Sequence, residues 1–193
     1  MAGKQAKTIT DGDLARLLRI VRRGRYPARD RVIVLLSAKA GLRACEIAGL
    51  TWSMVFDAKQ RVGPVLEIRD SIAKRGKGRI VPLNADLRRA LEALRVVTCP
   101  SADKPIILSE RRRHLTAATV VNWFAALYRR AGLEGCSSHS GRRTFITNAA
   151  RLVFRVGGSL RDVQQLAGHT SIEMTQRYIE GSTQAKRALV NLL

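Results

Sequence analysis

Between residues 64 and 83 the chain changes its hydrophobic rhythm. "PVLEIRDSI" and "RIVPL" are rich in β-branched residues and flank a basic, glycine-bearing turn, "AKRGKG". β-Branched side chains favour extended backbone and glycine permits a tight reversal, so this stretch predicts a β-hairpin with a basic loop. On either side the rhythm is helical. "TDGDLARLLRIVRRG" places Leu14, Leu17, Leu18 and Val21 at i, i+3, i+4 and i+7, with Gly24 as a stop. "ARDRVIVLLSAKAG" predicts a more apolar, buried helix ending at Gly41, and "RACEIAGL" a short third one. Downstream, "NADLRRALEALRVV" starts from a capping Asn84, and "TAATVVNWFAALYRRAG" from Thr116 with Val120, Trp123, Phe124 and Leu127 as its core stripe. "KPIILSE" reads as one more short strand, and the remainder as helical pieces broken at Gly157-Gly158, Gly168 and Gly181. A hairpin and one further short strand among helices do not build a layered α/β fold. The expectation is a mainly α domain with a small antiparallel β-sheet (α+β), single over residues 1–193, without repeats or linkers.

Charge then narrows the partner. There are 35 Lys+Arg against 15 Asp+Glu, a formal net charge of +20. Such an excess repels itself unless a polyanion neutralises it, which points to nucleic acid. A well-solvated basic surface accounts for solubility but not for so one-sided a balance. An anionic membrane ranks lower, because the basic residues form no amphipathic stretch faced by aromatics. No apolar run approaches the length of a membrane span, and "MAGKQAKTIT" has no apolar signal region. The expected setting is the cytoplasm, in association with the nucleoid. Cys45, Cys99 and Cys136 are odd in number and irregularly spaced, which suits a reducing compartment. "CSSH" (residues 136–139) offers half a zinc site without a second pair at ligand spacing, so no metal site is expected.

Four segments carry polar residues that need a reason. In "GLRACEIAGL", Arg43 and Glu46 are i and i+3 on one helix face: a surface ion pair of little consequence, or an arginine held by a carboxylate and offered to an anion. In the hairpin, Lys74, Arg75, Lys77 and Arg79 crowd a tight turn: a solvated tip, or a cluster that a phosphate backbone rewards. In "CSSHSGRRTFIT", His139 and Arg142 stand three apart at a helix start with Arg143 following, where free N–H groups also attract anions. In "LAGHTSIEMTQRYIEG", Thr170 and Glu173 have capping-box spacing, which places His169 just outside a helix that leads to Tyr178. Read alone, Tyr178 is a half-buried packing residue. On one straight helix nine residues span roughly 13 Å and about two and a half turns, so His169 and Tyr178 would point apart. For the two to act together, the chain must break or be steered between them.

Together the four segments resemble the catalytic domain of the tyrosine recombinases, the phage integrase family, whose pattern is Arg, a hairpin Lys, His-x-x-Arg, His or Trp, then Tyr. The match runs from about residue 8 to the end of the chain and is carried by four boxes in the right order. It implies a DNA breaking-rejoining fold and a catalytic set of Arg43, Lys74, His139, Arg142, His169 and Tyr178, supported by Glu46. Arg75, Lys77, Arg79 and Arg143 would face DNA. Two features depart from the pattern: Ser140-Gly141 fills the middle of His-x-x-Arg, and the stretch around "RLVFRVGG" is longer than usual. The family's N-terminal core-binding domain is expected to be absent, which leaves open a catalytic fragment or a naturally short recombinase.

The resemblance implies a site-specific DNA recombinase or integrase that needs no metal, ATP or other cofactor. Tyr178 would attack a phosphodiester gripped by Arg43 and Arg142 and hydrogen-bonded by His169. His139 would assist proton movement, and Lys74 would protonate the departing 5′ oxygen. The link formed is a 3′-phosphotyrosine, which a hydroxyl from a second duplex then resolves. Two other readings stay open: a type IB topoisomerase-like activity, and a recombinase-derived DNA-binding protein inactive without a partner. The partners implied are double-stranded DNA, an accessory protein or core-binding subunit, and further copies of the chain in a tetramer on DNA. The final "STQAKRALVNLL" sets Ala185, Ala188, Leu189 and Leu192 on one face, suited to packing on its own domain or on a neighbouring protomer.

Overall fold

The computed structural model describes residues 6–73, 76–110, 113–178 and 190–191. Its first helix, α1 (Asp11–Arg22), starts from a reciprocal capping box: the Thr10 hydroxyl accepts from the Asp13 amide and the Asp13 carboxylate accepts from the Thr10 amide. Such a cap contributes about 1 kcal/mol. α2 (Pro27–Ala40) begins with proline in its first turn and stops at Gly41, whose φ of +65° only glycine adopts cheaply. Val32 to Leu36 are all buried, because α1, α4 and α6 pack around α2 from different sides. This is the central helix of the domain.

α3 (Ala44–Gly49) follows after a three-residue link, and a 3-10 turn at Trp52–Met54 leads toward the hairpin. β1 (Val65–Ile68) and β2 (Arg79–Pro82) pair antiparallel in the register Val65 with Pro82, Leu66 with Val81, Glu67 with Ile80 and Ile68 with Arg79. α4 (Ala85–Thr98) is capped by Asn84 and α5 (Ala117–Arg130) by Thr116, as their sequences predict. "KPIILSE" forms no strand. It makes isolated bridges instead, Thr51 with Pro105 and Leu108 with His114, and Ile106 donates to the Leu50 carbonyl. Pro105 has no N–H to give, and successive residues meet different partners, so no ladder can extend.

α6 (Ser140–Leu152) runs into a 3-10 turn at Val153–Val156, followed by α7 (Leu160–Ala167) and α8 (Ile172–Gln176). Two apolar clusters hold these elements. The larger spans α1 to α5 and the hairpin around the fully buried Trp52 and Phe124. The smaller joins Ile146, Ala150 and Val153 to Val163 and Ala167, with Tyr178 packed against it. The polar cluster described next lies where α2, α3, α6, α7 and β2 converge. Among the described residues no helix is long and apolar enough to cross a membrane.

Candidate active site

Arg43 is the N-cap of α3, and Glu46 is the third residue of that helix. The spacing lets Glu46 reach back: one carboxylate oxygen accepts from the Arg43 amide at 2.9 Å, the other from Arg43 Nη1 at 2.9 Å. Glu46 is wholly buried. It is also held from the other side by Arg79 of β2, whose Nη1 and Nη2 donate to its two oxygens at 2.8 and 2.9 Å. Burial alone would raise the pKa of this carboxyl. The bonds and charge of Arg79, then those of Arg43, outweigh burial and bring it down to about 2. The expected ion pair of Arg43 with Glu46 is therefore one half of a buried bridge between α3 and the hairpin.

Arg79 was expected among the DNA-facing cations of the hairpin, and its placement corrects that. Its side chain is only 6 % exposed, and its Nε donates to the Leu166 carbonyl at 2.9 Å. Strand alternation explains it: Val81, two residues on, is buried on the same face, while Ile80 between them is exposed. Lys77 is exposed on the hairpin. Lys74 and Arg75 lie outside the described residues.

Arg142 sits in the first turn of α6, which begins at its N-cap His139. It is 4 % exposed. Nη1 donates to the Gly41 carbonyl at 2.5 Å and Nη2 to the Ala167 carbonyl at 2.6 Å. These bonds use two of its five donors. Burial, then the neighbouring charge of Arg43, bring its pKa down to about 9, so the guanidinium stays charged at neutral pH. Arg43 Nη2 reaches the Gly168 carbonyl at 3.4 Å. Three guanidiniums thus rest on three consecutive carbonyls, those of Leu166, Ala167 and Gly168. These are the orphan acceptors at the C-terminal end of α7, where the helix dipole is negative. That end offsets part of the positive charge that Glu46 alone cannot balance.

Gly168, at φ +60°, ends α7 and turns the chain into the cluster. His169 follows, 7 % exposed, with Nδ1 2.9 Å from the Thr175 hydroxyl. Burial, then the charges of Arg142, Arg43 and Arg79, push its pKa down to about 4, so the imidazole is neutral at pH 7. α8 is five residues long, and Tyr178 lies beyond its end, donating its amide to the Thr175 carbonyl at 3.0 Å. The His169 and Tyr178 rings stack with centroids 5.5 Å apart and planes 24° from parallel. The two side chains that a straight helix would separate are in contact, because neither belongs to the helix between them. The N-cap of α8 is Ser171 rather than Thr170: Ser171 is the last extended residue, and the Thr170 hydroxyl bonds Met174 Sδ at 3.4 Å. Nothing in the spacing of the sequence singles out Thr175, which is fully buried.

Arg43, His139, Arg142, His169 and Tyr178 line one cleft of about 200 Å³. An adjoining cavity of about 250 Å³ shares His139, Arg142 and Tyr178 and adds Arg143 and Arg177. A third, of about 310 Å³, opens between Lys77 on the hairpin and Arg161 and Gln165 on α7, with His169 in its wall. His139 is exposed; Arg143 is partly buried and donates to the Ala6 carbonyl at 3.0 Å. Among the described residues no group of three or more His, Cys, Asp or Glu side chains could hold a metal ion. The arrangement is a small, strongly cationic recess with a phenol in its wall. It suits one tetrahedral oxyanion presented to a nucleophile.

Residues 7–185 match the phage integrase family. The chain is 30 % identical over 161 residues to tyrosine recombinase XerC of Myxococcus xanthus, an alignment that covers 79 % of this chain and 50 % of that protein. It is 32 % identical over 163 residues to XerC of Brucella suis, covering 81 % and 48 %. The chain thus spans about half the length of the curated relatives it matches. Among solved structures, the fold is similar to that of XerA recombinase, with a TM-score of 0.75 at 24 % identity, covering 98 % of this chain and 65 % of that one. It is also similar to the integrase of transposon Tn1549 in complex with circular intermediate DNA, with a TM-score of 0.77 at 18 % identity, covering 100 % and 67 %. The chain belongs to the phage integrase family and carries the catalytic domain of a tyrosine recombinase.

Proposed function

We propose that this protein cleaves and rejoins double-stranded DNA at specific sites through a 3′-phosphotyrosine formed on Tyr178. The observation that carries the reading is the shared cleft: two guanidiniums, a neutral histidine, an exposed histidine and a phenol around one recess. The Tyr178 oxygen attacks phosphorus, the bond to the 5′ oxygen breaks, and the new phosphotyrosine keeps the energy of the phosphodiester. A phenol with a reference pKa of about 10 is a weak nucleophile, so the repulsive charge of the phosphate has to be neutralised. Arg43 and Arg142 do this at the non-bridging oxygens and stabilise the charge that builds in the transition state. His169 adds a hydrogen bond to the same phosphate. His139 exchanges protons with the tyrosine, and Lys74, on the hairpin, protonates the leaving oxygen.

Lys77, Arg75 and Arg143 contact the DNA backbone in this reading, while Arg79 holds Glu46. Strand exchange requires several copies on DNA, and a tetramer joined through the C-terminal segment is the assembly we propose. Ala185, Ala188, Leu189 and Leu192 of that segment lie outside the described residues. An accessory protein or core-binding subunit would supply further DNA contacts, and the place of action would be the nucleoid.

A nicked duplex bearing DNA from the flanks of the gene tests the activity, because loss of the short fragment beside the nick traps the covalent adduct. Wild type should form a denaturant-resistant protein–DNA species, and Tyr178→Phe should bind without forming it. Binding to a cognate site with no adduct would instead favour a DNA-binding protein. Relaxation of supercoils without sequence preference would favour a topoisomerase.

A further inference from the structure

The Thr175 hydroxyl and His169 Nδ1 lie 2.9 Å apart, both buried, and either atom could be the donor. Two features decide between them. The ring is neutral at pH 7, so it has one N–H to place. Among the described residues the Thr175 hydroxyl has no other hydrogen bond. Were it to accept from Nδ1–H, its own hydrogen would be buried without an acceptor. Donating to Nδ1 satisfies both atoms.

We propose that Thr175 is a positioning residue that fixes the tautomer of His169, leaving the proton on Nε2, where it can donate to a phosphate in the cleft. This deepens, and rests on, the recombinase reading. Without such a bond the surroundings would favour the wrong form. The cleft is lined by two guanidiniums and, among the described residues, by no carboxylate, and a neutral imidazole among cations lowers its energy by presenting a lone pair to them. That tautomer cannot donate to a phosphate. Thr175 also accepts the Tyr178 amide through its carbonyl, at 3.0 Å. One residue therefore holds both members of the stacked pair, the ring through its hydroxyl and the nucleophile through its backbone.

The test uses the full chain labelled with 15N-histidine. His169 is one of three histidines, and its ring signals are assigned by their loss in His169→Asn. The expected wild-type spectrum shows Nε2 protonated and Nδ1 bare, and Thr175→Ser keeps it. Thr175→Val, which has the same shape without the hydroxyl, should shift the ring toward Nδ1–H. With a nicked cognate duplex, Thr175→Val should form adduct roughly a hundredfold more slowly at unchanged DNA affinity, and Thr175→Ser should restore most of the rate. Protonated Nδ1 in the wild type would overturn the proposal, even if Thr175→Val fails to fold. So would a Thr175→Val protein with Nε2 still protonated and its rate intact. If wild type forms no adduct with any DNA, the recombinase reading falls while the spectrum still reports the tautomer.

Discussion

Arg79 and Glu46 meet fork to fork, with both η nitrogens of the arginine on both oxygens of the carboxylate at 2.8 and 2.9 Å, in a place where Glu46 is fully buried and Arg79 6 % exposed. Removing Arg79 takes two charge-assisted hydrogen bonds from a fully buried carboxylate and leaves Arg43 alone to balance it. Arg79→Met is therefore expected to lower unfolding free energy by about 3–5 kcal/mol. Lys77→Ala, two residues away and exposed, should change stability by no more than about 0.5 kcal/mol. It should instead weaken DNA binding evenly across sequences and reduce the salt slope by about 1. Urea unfolding and fluorescence anisotropy at several salt concentrations separate the two. An Arg79→Met protein as stable as wild type but impaired in DNA binding would place Arg79 back on the DNA.

The hairpin itself was legible in "PVLEIRDSI" and "RIVPL", but the inward turn of Arg79 was not. "RIVPL" carries apolar residues at neighbouring positions, so alternation does not say which face is buried, and Ile80 is the one left outside at 61 % exposure. The helices were legible because their stripes and caps are local. Residues of three of the four boxes line the cleft, and each box is local too; Lys74 of the hairpin box lies outside the described residues. What escaped was the way they are tied together. The carbonyls of Leu166, Ala167 and Gly168 that receive three arginines are backbone groups, which a sequence does not distinguish. The contact of His169 with Tyr178 depends on a left-handed Gly168 and on a helix that ends at Gln176. The spacing of nine could say only that a break was needed.

The same buried carboxylate predicts an acid limb. The Glu46 pKa is about 2 in the folded chain against an ordinary 4.5. Above pH 4.5 it is ionised in both states and its full contribution is present. As pH falls from 4.5 to 2, the unfolded chain takes up the proton first and stability is lost, on the order of 3 kcal/mol in total. Glu46→Gln should be less stable at pH 7 and should lack this part of the slope. Urea midpoints at pH 7, 4.5 and 2.5 measure it. An unchanged slope in the variant would assign the acid limb to other carboxylates.

His169 should add a second window above that one. Its pKa is about 4 in the folded chain against an ordinary 6.5. Between these values the unfolded chain binds the proton and the folded chain does not, so stability falls as pH drops through the window, again by on the order of 3 kcal/mol. The whole of this contribution is present above pH 6.5. His169→Gln should flatten the pH 6.5 to 4 segment of the stability profile and leave the lower segment alone. A wild-type profile that is flat across this range would mean that the ring titrates alike in the folded and unfolded chains, so that burial and the neighbouring arginines do not hold it neutral.

Gly141, the unusual residue inside His-x-x-Arg, has a reason in the packing of α6 on α2. A Cβ built there would lie 2.4 Å from Ser37 Oγ and 3.0 Å from Ser37 Cβ, so α2 and α6 approach more closely than any larger residue allows. Arg142 follows immediately and bonds the Gly41 carbonyl at the end of the same α2. Forcing the helices apart should therefore disturb the guanidinium as well as the core. Gly141→Ala is expected to cost about 1–3 kcal/mol of stability. It should also slow adduct formation more than it weakens DNA binding. Ser37→Gly removes the two nearest opposing atoms and leaves the backbone carbon at 3.2 Å; it also removes a hydroxyl that is buried without a partner among the described residues. Glycine within a helix carries its own cost of about 1 kcal/mol, so the double variant need not match wild type. The two changes should nonetheless couple, with the pair more stable than the sum of the single effects by at least about 1 kcal/mol. Strict additivity in urea unfolding would show that the close approach of Ser37 and Gly141 does not limit the packing of α6 on α2.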